Sequence, residues 1–122
     1  MPIKVSNESP EALVESFQSS SIKPSFVVVY ASLTDGRSWC GDCRAAEPLV
    51  NAKFADRTDV LKVVYAGQRD EWRKADNQWK KAPFSVTNLP TLIKVTNDEW
   101  EQLVEEDVYD QKKLDAFVGE QS

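Results

Sequence analysis

A chain of 122 residues with 41% hydrophobic and 29% charged side chains is sized for one core, and this composition excludes disordered, collagen-like and membrane-spanning classes. Its net charge of -5 disfavours a dedicated nucleic-acid binder, which needs an excess of Lys and Arg on one face. The sequence has no histidine and two cysteines, too few for a disulfide framework, so the pair reads as redox or metal chemistry in a reducing compartment.

Residues 1–122 are expected to form one domain. Met1 to Pro10 is polar and lacks the apolar run of a secretory signal, which points to a cytoplasmic protein. Ile3 to Val5 is a short strand candidate, and Ser9-Pro10-Glu11 combines an N-cap, a proline at the first helical position and an early acid, opening a helix to about Ser20. Phe26 to Ala31 is continuous, β-branched and aromatic, as expected of a central strand buried on both faces, and is too short to span a bilayer. Ser32 to Ser38 holds the turn cluster Thr34-Asp35-Gly36. It leads into Trp39-Cys40-Gly41-Asp42-Cys43, after which Ala45, Ala46, Leu49, Val50 and Phe54 give a helical pattern, so the motif opens a helix. Pro48 is expected to kink that helix.

Val60 to Ala66 reads as a second buried strand. Asp70 to Lys81 reads as a helix with Trp72, Ala75 and Trp79 on one face. Leu92 to Thr96 and Trp100 to Val104 form a hairpin about Asn97-Asp98, and Asp110 to Val118 is a last helix that turns Leu114, Phe117 and Val118 inward and stops at Gly119. The order βαβαβαββα implies an α/β fold: parallel pairing where helices intervene, an antiparallel edge at the hairpin, and helices on both faces of a mixed sheet. Ligand sites of such sheets lie where a strand's carboxyl end meets the next helix, and the cysteine pair falls there.

Cysteines at i and i+3 share one side of a first helical turn, so their sulfurs can meet. Closing so short a loop constrains the unfolded chain by roughly 2 kcal/mol at best, so a bridge here suits making and breaking. The alternatives are a zinc site, for which two thiolates without histidine are a poor ligand set, and an inert packed pair; no metal is expected. Cys40, at the mouth of the helix, is the candidate nucleophile because free N–H groups and the positive dipole end favour a thiolate. Cys43, one turn inward, is the candidate resolving thiol. Asp42 is a tuning charge. Trp39 either offers substrate a flat apolar surface or anchors its loop. The run Arg69 to Lys81 interleaves bases with Trp72 and Trp79, but Asp70, Glu71 and Asp76 make it a solvated amphipathic face.

The buried strand, the Trp39 to Cys43 motif, Pro48 in the same helix and Leu89-Pro90-Thr91 before a hairpin together resemble the thioredoxin family over essentially the whole chain. The aspartate before the second cysteine, the long lead-in Ser32 to Ser38 and Glu47-Pro48 are similar to the small cytosolic thioredoxin-related proteins with a WCxDC site, the fourteen-kilodalton group. This resemblance implies the thioredoxin fold and a Cys40–Cys43 disulfide in the oxidised form. It further implies a monomeric disulfide reductase without bound cofactor, fed from NADPH by thioredoxin reductase. It also implies a cis Pro90 that, with Leu89, forms a ledge for extended substrate.

Two departures stand out. Asp42 replaces the proline of ordinary thioredoxins, and Val28 occupies the strand position where they bury an aspartate. Proton removal from Cys43 must then use another group or water, with Asp42 as a candidate and Tyr30 or Lys94 as weaker ones. The lead-in, carrying Asp35 and Arg37, is expected to overhang the site and exclude bulky partners. A binding module without turnover is the second reading. A thiol-dependent peroxidase, using Arg44 and Ser38 to grip an oxyanion, is the third. Glutathione use is disfavoured because no glycine turn follows Thr91.

Overall fold

The computed structural model describes residues 3–18, 24–55, 57, 60–96 and 99–119. In chain order the elements are β1 (Ile3–Val5), α1 (Pro10–Gln18), β2 (Ser25–Tyr30), β3 (Leu33–Thr34), β4 (Arg37–Ser38), α2 (Gly41–Ala55), β5 (Leu61–Tyr65), α3 (Arg69–Arg73), β6 (Thr91–Thr96), β7 (Glu99–Val104) and α4 (Gln111–Val118). Single 3₁₀ turns occupy Gln78–Lys80 and Glu105–Asp107.

Five strands form one mixed sheet in the order β1-β5-β2-β6-β7. The pairings β1 with β5 and β5 with β2 are parallel, while β6 runs antiparallel to both β2 and β7. Every residue from Phe26 to Ala31 is buried. Alternate residues of a strand point to opposite faces, so β2 is covered on both sides. The register shows by what. Phe26 lies opposite Lys94; Phe26 meets Phe54 of α2 edge-on at 5.0 Å, and the Lys94 ammonium donates to the Phe117 carbonyl of α4 at 3.1 Å. That face belongs to α2 and α4. Val95 and its partner Trp100 lie on the other face, where Trp100 packs edge-on against Phe17 of α1. This is the expected α/β arrangement, with helices on both faces.

Local signals were realised at the helix ends. The Ser9 hydroxyl accepts from the Ala12 N–H at 3.2 Å ahead of Pro10, and Leu13 and Phe17, one turn apart, are both buried. Asp110 caps α4 by accepting from the Lys113 N–H, and Gly119 ends it at φ 76, a conformation that suits glycine. The 32–38 lead-in is a small hairpin, with Leu33 opposite Ser38 around Asp35 and Gly36, both at positive φ. The end of the first helix beyond Gln18 and the Asn97-Asp98 turn lie outside the described residues.

One helix expected from sequence is corrected. Instead of running from Asp70 to Lys81, α3 spans Arg69–Arg73, Lys74 is extended, and a separate 3₁₀ turn follows at Gln78–Lys80. Asn77 makes the break: its side-chain amide donates to the Glu71 and Ala66 carbonyls at 3.1 and 2.8 Å, and its oxygen accepts from the Trp79 N–H at 3.0 Å. A side chain that takes over backbone bonds in this way competes directly with helix continuation. Trp79 consequently leaves the surface and packs edge-on against Phe84, while Trp72 stays half-buried under the Lys80 ammonium.

Asn77→Ala leaves the part-buried Ala66 carbonyl and Trp79 N–H without these bonds and is expected to cost about 1–3 kcal/mol, read as a lower urea midpoint with the slope unchanged.

Candidate functional site

The site is assembled where β2 ends and α2 begins. Cys40 is the residue before Gly41, the first of α2. Its carbonyl accepts from the Arg44 N–H at 3.1 Å and its sulfur accepts from the Cys43 N–H at 3.4 Å. Cys40 thus caps the helix with sulfur in the role usually taken by a Ser or Asp oxygen. Cys43 is fully buried, and its sulfur accepts from the Ala31 N–H at 3.4 Å, which ties the first turn of α2 to the end of β2. Both cysteines are unbridged thiols.

The other predicted residues converge on this pair. The Leu89–Pro90 bond is cis, and the Leu89 carbonyl stands 3.7 Å from the Cys40 sulfur, where it accepts the S–H of the protonated form. Trp39 is half-buried and anchored: its indole N–H donates to the Gly67 carbonyl at 3.0 Å, and the Arg69 guanidinium lies over its ring at 5.0 Å. Asp42 accepts from the Tyr109 hydroxyl at 2.9 Å. α2 continues through Pro48 to Ala55, and Val28 is fully buried.

These contacts divide the two thiols. The Cys40 pKa falls to about 6: the Cys43 thiol donates to its sulfur, the Cys43 and Asp42 N–H groups add to this, and burial and the Asp42 charge oppose it. Cys43 is pushed far up by the same pairing with Cys40 and then by burial, against the Ala31 N–H. One sulfur is a thiolate near neutrality and its neighbour holds the proton.

The residues weighed as proton acceptors fare differently. Lys94 is turned to α4. Burial first, then the Glu47 charge, drives the Tyr30 phenol far up, so it stays protonated. Ser38 donates its hydroxyl to the Ala31 carbonyl at 2.7 Å, and Arg44 donates to the Ser38 carbonyl at 2.6 Å. The hydroxyl that a peroxide grip would need is therefore committed to backbone.

Sequence reasoning missed Tyr109, Arg69 and Gly67. Nothing local links Tyr109 to Asp42 or Arg69 to Trp39. Gly67 did carry a signal: it sits at φ 117, and a Cβ there would lie 2.7 Å from the Glu71 Cβ, so only glycine brings this carbonyl to the indole.

With the Cys40 pKa lowered, its thiolate fraction rises as pH climbs through about 6. Alkylation of the reduced protein by iodoacetamide should follow that curve and level off near neutrality; a rate that climbs only above about pH 8.5 is the behaviour of an ordinary thiol and would contradict the capping argument.

Among the described residues, no helix is long and apolar enough to cross a membrane. The fold is that of solved thioredoxins. That of Schistosoma mansoni, as its pre-protein, superposes with a TM-score of 0.67 at 17% identity, covering 97% of this chain and 96% of that one. Among curated proteins, the thioredoxin-like protein Clot of Arabidopsis thaliana is 31% identical over 80% of this chain and 81% of its own length. A thioredoxin domain-containing protein of Schizosaccharomyces pombe is 31% identical over 97% of both. Residues 4–120 match the family model described as thioredoxin domain-containing protein 17-like, thioredoxin domain. With a Cys-X-X-Cys pair at the head of α2 in a thioredoxin fold, the chain belongs to the thioredoxin domain-containing protein 17-like family and carries a thiol oxidoreductase-type module.

Proposed function

We propose that the protein is a cytoplasmic, monomeric disulfide reductase that acts on small or accessible disulfides, needs no bound cofactor and is re-reduced from NADPH by thioredoxin reductase. The observation that carries this reading is the split between the thiols, a low-pKa Cys40 capping α2 and a buried, protonated Cys43 beside it.

The exchange balances without a separate base. The Cys40 thiolate attacks one substrate sulfur, a Cys40–substrate bond forms, and the first thiolate leaves. Cys43 loses its hydrogen-bond acceptor as Cys40 is consumed, and its proton passes to that leaving thiolate. The Cys43 thiolate then attacks the Cys40 sulfur, closing the Cys40–Cys43 disulfide and releasing the second thiolate, which takes a proton from water. Two electrons pass from the dithiol to the substrate. In this reading Trp39, next to Cys40 in the chain, and Leu89, whose carbonyl stands 3.7 Å from the reacting sulfur, hold an extended substrate strand.

Cys43→Ser should accumulate mixed disulfides on Cys40, while Cys40→Ser should trap little; mass spectrometry of trypsin-digested adducts reads this directly, and adducts on Cys43 of the wild type would reverse the roles. With NADPH and thioredoxin reductase, cystine should be turned over faster than a folded protein disulfide.

Selectivity should come from bulk more than from charge. The Asp42 charge is the weakest of the influences on Cys40, and its carboxylate is engaged by Tyr109. Shortening the Leu33–Ser38 hairpin should therefore raise turnover of a folded protein disulfide more than Asp42→Pro does, with cystine turnover little changed. Equal gains on both substrates would count against the hairpin as a gate.

A further inference from the structure

An open cleft of about 490 Å³ lies on the Trp39 side of the cysteines. Arg37 of β4, Arg44 of α2 and Arg69 of α3 line it together with Trp39, Gln68 and Asp70. Two neighbouring elements, β4 and α2, and the distant α3 thus bring three guanidinium groups to one depression, against a single carboxylate among its lining residues. None of the three arginines forms an ion pair with a carboxylate among the described residues. Arg44 and Arg69 are instead oriented by backbone, through the Ser38 carbonyl at 2.6 Å and the Trp39 carbonyl at 3.5 Å. Arg69 is further fixed over the indole. Each has five N–H donors, so most of them still point to solvent.

This arrangement runs against the chain's own charge. A protein of net charge -5 repels acidic partners overall, yet its excess of unpaired positive charge at the site lies beside the reactive sulfur. Outside the cleft's lining stand Asp42, held by Tyr109, and the acidic turn Glu105–Asp107, which borders a separate depression with Tyr109. The basic and the acidic side chains thus line different depressions.

We infer that the Arg37–Arg44–Arg69 cleft is a subsite for carboxylates, selecting disulfides within acidic peptide segments and orienting them with the acidic flank over Trp39. This names the substrate class for the reductase reading and rests on it. Carboxylates suit the cleft because guanidinium groups bind them through paired, planar hydrogen bonds. The gain should appear in capture rate, since charge complementarity steers encounter more than it deepens binding.

The test uses two short peptides, each with one cysteine blocked by 2-mercaptoethanol as a mixed disulfide and flanked by Asp in one and Asn in the other. Single-turnover reduction by the pre-reduced full chain is measured for both, and each rate is divided by the rate with dithiothreitol to remove intrinsic reactivity. The Asp-to-Asn ratio is expected to be about 3 to 10 at about 20 mM salt and to approach 1 at about 500 mM. Arg37→Glu should bring the low-salt ratio to 1 or below, and Arg37→Lys should keep it. A wild-type ratio near 1, or a ratio that Arg37→Glu leaves in place, overturns the subsite. Failure to reduce either peptide faster than a Cys40→Ser control overturns the reductase reading itself and the subsite with it.

Discussion

One sulfur carries two duties in this fold. Cys40 ends the approach to α2 and must satisfy the free N–H groups of its first turn, and the same atom is the proposed nucleophile. The demands agree, because an atom that accepts backbone hydrogen bonds at a helix start is one on which negative charge is favoured. The helix is aimed from the other side by Cys43, whose sulfur meets the Ala31 amide, immediately after the most deeply buried strand. The scaffold and the chemistry therefore meet at the same two sulfurs: the Cys40–Cys43 pairing separates the thiols in acidity, and the Ala31 amide that docks α2 on β2 partly offsets it on Cys43.

Around this centre the chain arranges rigid supports of unlike origin. Trp39 is held by a glycine carbonyl and an arginine face, Asp42 by a tyrosine hydroxyl, and the Leu89 carbonyl by a peptide that turns through cis geometry into β6. Each support comes from a different loop, which is how an α/β sheet usually furnishes a site at its strand ends.

Much of this was legible in the residues. The run from Phe26 to Ala31 could only be a strand covered on both faces, and the Ser9-Pro10 start and Gly119 stop were read from local stereochemistry alone. The cysteine motif, placed after that strand and at the head of a helical pattern, located the site. What was not legible depended on distant partners. Trp72, Ala75 and Trp79 are spaced like one helical face, but Asn77 spends its amide on the Ala66 and Glu71 carbonyls, and a tertiary contact overrode the periodicity. The hairpin before the motif has two residues per strand, too few for alternation to show. Tyr109 lies 67 positions from Asp42, and no local pattern joins them.

The amide of Ala31 has a consequence of its own. It donates to sulfur at 3.4 Å rather than to oxygen, and sulfur is the weaker and more polarisable acceptor. Its strength as an acceptor changes when Cys43 goes from thiol to thiolate to disulfide, while the strand around it stays shielded from solvent. The nitrogen-15 and proton resonances of this one backbone group would therefore report the oxidation state of the buried sulfur from inside the sheet, without a probe attached to either cysteine.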